Sequence, residues 1–276
     1  EAALRVMAVR NGGDIGLVLK GPDDPVTRAD KLANAYIVAE LVERFPDAGI
    51  VAEESVPDAT VLAELVSRDR VFYVDPVDGT REFAHGLPEF AVMIGLAVRG
   101  RAEAGVLVIP AEGQALAGRI GGPAFSVLLE SDVRTDLRPS GITDTSLATV
   151  VVSRAHRPPE LAPILERLGG PRELPCGSVG VKVARVANAK ADLYVHPGRG
   201  AKKWDACAPE AVIRSAGGDL TDVFGERIDY ASTELGMLCG MCASNGPLHP
   251  AATAAARAAL LAPTEKGPGS ESGAAR

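Results

Sequence analysis

Two aspartates three residues apart, Asp75 and Asp78, stand in the stretch VFYVDPVDGTREF at 71–83. Four mostly β-forming apolar residues run into Asp75. Pro76 does not belong within a central strand, and Gly79 supplies a free backbone, so the sequence predicts a strand that stops near Asp75 with a turn at its carboxyl end. In α/β folds, ligands bind at that end. A plain turn or helix N-cap needs one aspartate rather than two followed by Gly-Thr. Two carboxylates so close repel unless something positive lies between them. A hard divalent cation with oxygen ligands fits best, and Mg²⁺ takes a few carboxylates while keeping waters for phosphate oxygens. The backbone N–H groups of Gly79 and Thr80, at a helix N-terminus, would face an anion. The stretch reads as metal plus phosphate.

Other residues in the chain suit the same chemistry. Glu53 and Glu54 follow the apolar run Ile50-Val51-Ala52. Side chains alternate along a strand, so at most one faces a given site if the strand continues. Glu53 is the ligand candidate and Glu54 its neighbour, the alternative being a solvated pair at a strand end. Thr27 and Asp30 fit a capping box. Asp30 with a hydroxyl would also hold a water, and a helix N-terminus can serve both ends. Trp204-Asp205 opens a helix with Pro209 in its first turn, so Asp205 is either an N-cap or a third aspartate ligand. Lys202 and Lys203 beside it read as a solvated face. Ser153-Arg154-Ala155-His156 follows a strand end, where Arg154 and His156 could bind a second anion. Gly177-Ser178-Val179-Gly180-Val181-Lys182 is a glycine-spaced turn before a helix, neither a P-loop nor a dinucleotide fingerprint. It offers Ser178 and Lys182 to a phosphate or a base.

Composition bounds the rest. The 276 residues are 46% hydrophobic and 24% charged, which suits one large domain or two joined halves. A formal charge of −7 and no basic stripe exclude duplex nucleic acid as a partner. Small anionic substrates stay open, because bound cations reverse the local field. No apolar run reaches membrane-spanning length and no secretory signal opens the chain. The cysteines, Cys176, Cys207, Cys239 and Cys242, are few for this length, which predicts a reducing, cytoplasmic setting. Cys239 and Cys242 form a CxxC pair. A zinc site needs four ligands and no second pair stands nearby, so LGMLCGMCA reads as a core strand.

Periodicity supplies the elements that must position these groups. A short amphipathic helix at 1–10 precedes a connection with a VLK strand candidate. A helix starts near Asp30 and ends at Pro46, a strand covers 49–52, and a helix covers 58–67. After the central stretch come strands at 90–98, 102–109, 114–118 and 124–129. Residues 131–145 are polar and irregular, a seam between halves. Then follow a strand at 148–153, a helix at 159–168, a helix at 179–189, a strand at 191–196, a helix at 204–216, a strand at 235–243 and a helix at 247–261. The expected organisation is one catalytic domain over 1–263, with a metal and phosphate half at 1–139 and a substrate half at 146–263. Residues 264–276 carry no apolar pattern and read as a disordered tail. Helices and strands alternate in blocks, which predicts a layered α/β or α+β fold.

Taken together, VTRAD (26–30), AEES (52–55), DPVDGT (75–80) and WDACAPEAVIRSAGG (204–218) resemble the lithium-sensitive, magnesium-dependent phosphatase superfamily that includes inositol monophosphatase. The pieces come in the family's order and span nearly the whole chain. The resemblance implies a layered α-β-α-β-α sandwich of the inositol monophosphatase and fructose-1,6-bisphosphatase type. Within the superfamily, GTREF (79–83), SRAH (153–156), GSVGVK (177–182) and KKWDACAPE (202–210) are most similar to 3'(2'),5'-bisphosphate nucleotidases. Inositol monophosphatases more often carry GTTNF at the first of these. By resemblance, Glu53, Asp75, Asp78, Asp205 and the Val77 carbonyl would hold two or three Mg²⁺ ions. Asp30 and Thr80 would orient the attacking water, and Gly79 and Thr80 would bind phosphate. His156, Ser178 and Lys182 would contact the nucleotide, with Glu54, Ser153 and Arg154 as further candidates. The implied activity is removal of the 3'-phosphate of adenosine 3',5'-bisphosphate, with Li⁺ inhibition. An inositol or sugar phosphatase and a silent nucleotide-binding relative are the alternatives. The implied state is a monomer or homodimer. Two features depart from the pattern: the N-terminal helix is short, and Ser178 stands where relatives can have Gly.

Overall fold

The computed structural model describes residues 1–22, 24–154 and 157–262; His156 and the tail at 264–276 lie outside the described residues. In chain order the first part contains α1 (Ala2–Asn11), the hairpin strands β1 (Val18–Gly21) and β2 (Asp24–Val26), and α2 (Arg28–Arg44). Then come β3 (Gly49–Ala52), a 3-10 turn (Glu53–Ser55), α3 (Ala59–Val66), β4 (Arg70–Asp78) and α4 (Thr80–Ala84). Five strands follow: β5 (Ala91–Val98), β6 (Arg101–Ile109), β7 (Gln114–Arg119), β8 (Ala124–Leu128) and β9 (Val133–Asp136). The second part holds β10 (Thr149–Ser153), α5 (Leu161–Arg167), β11 (Arg172–Cys176), α6 (Val179–Ala187) and β12 (Leu193–His196). It ends with α7 (Lys203–Ala216), β13 (Asp219–Thr221), β14 (Met241–Ser244) and α8 (His249–Leu260).

Strands β3 to β9 form a seven-stranded sheet in sequence order, parallel only between β3 and β4. The other large sheet is five-stranded, ordered β11-β10-β12-β14-β13. Apolar faces stack these sheets into five layers. Val6, Ala33, Ile37 and Leu41 of α1 and α2 pack on Phe72, Val74 and Val92 of the first sheet. On its other side, α6 and α7 fill the space to the second sheet through Val181, Ala184, Ala208 and Val212. Leu161, Ile164 and Ala252 of α5 and α8 cover the outer face of the second sheet. The order is α-β-α-β-α, as the resemblance implied.

A row of glycines sets how close α7 lies to the first sheet. Gly95 of β5 pairs with Gly105 of β6, which pairs with Gly118 of β7. A Cβ added at Gly95 would fall 2.5 Å from Ala208 N, and one at Gly105 would fall 2.4 Å from Ala208 O. Only hydrogen fits under the helix there. The contact places the first turn of α7, with Asp205, against the end of β4.

Strand β4 departs from the expected stop at Asp75. It runs through Pro76 to Asp78 and is buried from Val71 onward. Its partner β3 ends opposite Val74, and the β5 register shifts between Asp75 and Asp78. Pro76 therefore sits in a bulge, where no ladder N–H is required. Both aspartates lie past the end of β3 while still paired with β5. Strands β2, β9, β11 and β13 are too short or too polar to show in the sequence pattern, and β9 occupies part of the expected seam. Strand β14 covers only Met241–Ser244 of the longer apolar run, so Cys242 is buried while Cys239 is exposed. All four cysteines are free. Pro209 lies deeper inside α7 than expected, because the helix begins at Lys203. Among the described residues, no helix is long and apolar enough to cross a membrane.

Candidate metal and phosphate site

The site forms where the bulged end of β4 meets three helix N-termini. Asp75 and Asp78 are buried, and the Val77 N–H donates to Asp75 Oδ1 at 3.0 Å. Gly79 turns the chain at φ 89°, where a Cβ would lie 2.7 Å from Glu89 O. The turn lets Thr80 begin α4. The Thr80 hydroxyl lies 3.0 Å from Asp30 Oδ1 and 2.9 Å from the Val77 carbonyl oxygen, and its single proton serves one of them at a time. Asp30 is held from its other oxygen. Its Oδ2 accepts the Thr27 N–H at 2.7 Å and the Thr27 hydroxyl at 2.5 Å. The capping box is present, and it leaves Oδ1 turned toward Thr80. Burial raises the Asp30 pKa, against the lowering effect of these hydrogen bonds.

Asp205 is the third residue of α7, not its N-cap. Its carboxylate accepts the Lys202 N–H at 2.7 Å, the one half of a capping box that a lysine N-cap allows. Asp75, Asp78 and Asp205 each offer an oxygen, and these three atoms lie within 4.8 Å of one another. So the sequence-distant Asp205 joins the pair read from DPVD. Glu53 stands beside this triad at the end of β3. Burial and the charge of Asp205 push its pKa up to about 8. Burial, then Glu53, Asp78 and Asp205, hold Asp75 well above the usual carboxylate range. Burial and Asp78 raise Asp205 to about 7. Acids that resist ionisation together are a site short of positive charge.

Part of that charge comes from a residue the sequence reading passed over. Lys20 of β1 places its Nζ 3.2 Å from Glu53 Oε1 and 2.7 Å from Glu54 Oε1. Both glutamates reach it because the strand does not continue: the 3-10 turn breaks the alternation that would have sent them to opposite faces. A single lysine on an exposed hairpin strand carries no sequence signal for this role.

A cleft of about 640 Å³ opens over the acids and extends between the two sheets. Ser153, Ser178 and Lys182 line it; Arg154 does not. Arg154 instead pairs with Glu89 through two 2.7 Å contacts. Lys182 is buried, and burial lowers its pKa while Asp78 pulls the other way. Its Nζ sits 5.2 Å from the Tyr194 ring centroid. Tyr194 stacks on His196 with centroids 6.4 Å apart, and both line the cleft along with Arg81, Glu82 and Arg157. None of these five stood out in the sequence as a site residue. Ser178 is turned toward the metal strand, its hydroxyl donating to Asp78 Oδ2. Lys203 is not part of a solvated face: it is buried, donates to Ser232 O at 2.6 Å, and burial lowers its pKa to about 8.

The converging groups that could hold a cation, the carboxylates of Asp75, Asp78 and Asp205, are all oxygen donors, and the Glu53 carboxylate beside them is another oxygen donor. Hard divalent cations take such ligands. The family model described as "Inositol monophosphatase family" matches residues 2–261. The chain belongs to the inositol monophosphatase family. A mouse 3'(2'),5'-bisphosphate nucleotidase 1 is 30% identical over 263 residues, covering 83% of this chain and 82% of its own. An inositol-1-monophosphatase from Mesorhizobium japonicum is 35% identical over 228 residues, covering 79% of this chain and 80% of its own. The extragenic suppressor protein suhB from Bartonella henselae superposes with a TM-score of 0.77 at 25% identity, covering 93% of this chain and 94% of that one. Phosphatases of this family depend on Mg²⁺, and the acidic cluster fits that ion.

Proposed function

We infer that this Mg²⁺-dependent phosphatase removes the 3'-phosphate from adenosine 3',5'-bisphosphate and leaves AMP. The observation that carries this reading is a cleft whose lining combines acids with a buried lysine and stacked rings. Asp75, Asp78 and Asp205 line it together with the buried Lys182 and the Tyr194–His196 stack. A sugar carrying two phosphates and an aromatic base offers a partner to each of these groups. The 30% identical nucleotidase relative supports the same choice.

Two or three Mg²⁺ ions, held by Glu53, Asp75, Asp78, Asp205 and the Val77 carbonyl, would acidify a bound water and neutralise the departing oxygen. The chain supplies the rest. Thr80, pinned between Asp30 and Val77 O, orients the water. Asp30 would take its proton, and burial, by raising the Asp30 pKa, makes it a better base than a solvated carboxylate. The N–H groups of Gly79 and Thr80 hold phosphoryl oxygens, so catalysis is mostly positioning and charge neutralisation. Lys182 balances charge on the nucleotide. His156, outside the described residues, is proposed as a further nucleotide contact. In this reading, residues 1–139 and 146–263 are two halves of one catalytic unit. Four free cysteines support a reducing, cytoplasmic setting.

The Mesorhizobium relative keeps an inositol phosphate substrate as the second reading. Phosphate release from adenosine 3',5'-bisphosphate and from inositol 1-phosphate, each with Mg²⁺ and with added Li⁺, separates them. Faster release from the nucleotide supports the first reading, and the reverse order replaces it with the second. No Mg²⁺-dependent release from either would point to a silent relative.

A further inference from the structure

Ser178 is a non-glycine residue held at φ 57° and ψ 133°. L side chains rarely adopt that backbone, and such outliers persist only where surrounding contacts enforce them. The residue is buried. Its Oγ accepts the Val181 N–H at 3.1 Å, which caps α6, so its single proton is available to donate elsewhere. That proton goes to Oδ2 of Asp78, 100 residues earlier in the chain. The Gly180 N–H donates to the same oxygen at 2.6 Å. Two donors use the lone pairs of Oδ2 and leave Oδ1 for a cation. An ordinary backbone at 178 would redirect its Cα–Cβ bond and carry the hydroxyl away from Asp78.

Resting on the phosphatase reading above, we propose that Ser178 is a positioning residue for the metal centre rather than a substrate contact. Its hydroxyl commits one oxygen of Asp78 to the protein, and the other is presented to Mg²⁺. The backbone strain is what that reach costs. Outer hydrogen bonds of this kind typically change metal affinity by about 10–100-fold.

Two variants separate positioning from folding. Glycine accepts φ 57° and caps a helix nearly as well as serine, so Ser178→Gly keeps the fold and removes only the hydroxyl. Ser178→Ala removes the hydroxyl and keeps the strain. Metal-free wild type and both variants are titrated with MgCl₂ by calorimetry, with no substrate present, and their metal-free melting points are recorded. The expected result is roughly tenfold or more weaker Mg²⁺ binding in both variants. Metal-free S178G should melt at or above wild type. Wild-type Mg²⁺ affinity in S178G overturns the proposal. So does an affinity loss confined to a destabilised S178A. A raised substrate KM with unchanged Mg²⁺ affinity overturns it as well, by making Ser178 a substrate contact. A wild-type protein that binds no Mg²⁺ removes the metal reading itself, a distinct failure.

Discussion

Asp205→Asn should stabilise the metal-free protein while destroying its activity. Without a cation, Asp75, Asp205 and Glu53 all have pKa values raised by burial and by one another. Raised acids mean that the folded chain binds more protons than the unfolded chain above about pH 4. Stability is therefore fully present at the acid end of the window and is lost as pH climbs through the folded values, about 7 for Asp205 and about 8 for Glu53. Lifting one carboxyl from 3.8 to about 7 corresponds to roughly 4 kcal/mol lost by pH 8. The three shifts share one repulsion and do not add. Partial exposure of Asp205 reduces the figure, so the substitution should recover roughly 2–4 kcal/mol at pH 8. Asparagine can still accept the Lys202 N–H, which keeps this helix-start bond. For a chain of this size that gain is a rise of about 3–7 °C in melting point. The assay is thermal unfolding in EDTA at pH 8 and again at pH 5.5, where the gap should narrow. Adding Mg²⁺ should raise the wild-type melting point and leave the variant almost unmoved. A variant that melts below wild type at pH 8 without metal would refute the reasoning.

Further outcomes follow from the same geometry. Asp78→Asn keeps the side-chain shape but loses a negative oxygen, so Mg²⁺-dependent phosphate release should fall by at least about 100-fold, and wild-type turnover would remove Asp78 from the site. Lys20→Met removes the ammonium that Glu53 and Glu54 share. The metal-free variant should melt lower, and half-maximal activity should need less Mg²⁺ because the competing cation is gone; an unchanged Mg²⁺ requirement would count against that competition. Gly105→Val drives a side chain into α7, where even a Cβ meets Ala208 O at 2.4 Å. It should cost several kcal/mol, read as a lower urea midpoint, and weaken Mg²⁺ binding through displacement of Asp205.

The acidic cluster is more legible than its surroundings. DPVDGT exposes its chemistry locally, because two acids, a glycine and a hydroxyl fall within one turn. Asp30 and Asp205 announced themselves through helix-start patterns, although both sit at the third helical position with their carboxylates capping the preceding backbone. The resemblance then tied these pieces together. What the pattern could not show depends on cross-strand register. Gly95, Gly105 and Gly118 look like ordinary punctuation until the ladder sets them side by side. Pro76 read as a strand stop because the bulge that tolerates it exists only in the paired sheet. Lys20 drew no notice and Lys203 read as solvated because their partners, Glu53, Glu54 and the Ser232 carbonyl, come from elsewhere in the chain. Short strands such as β13 have too few residues to show a period of two.

Crystals soaked in MnCl₂ and measured at the manganese edge test the central claim most directly. Anomalous peaks within about 2.0–2.3 Å of oxygens from Asp75, Asp78 and Asp205, with Glu53 ligating a neighbouring ion, are the predicted result. An empty triad, or manganese bound only elsewhere on the molecule, would contradict it.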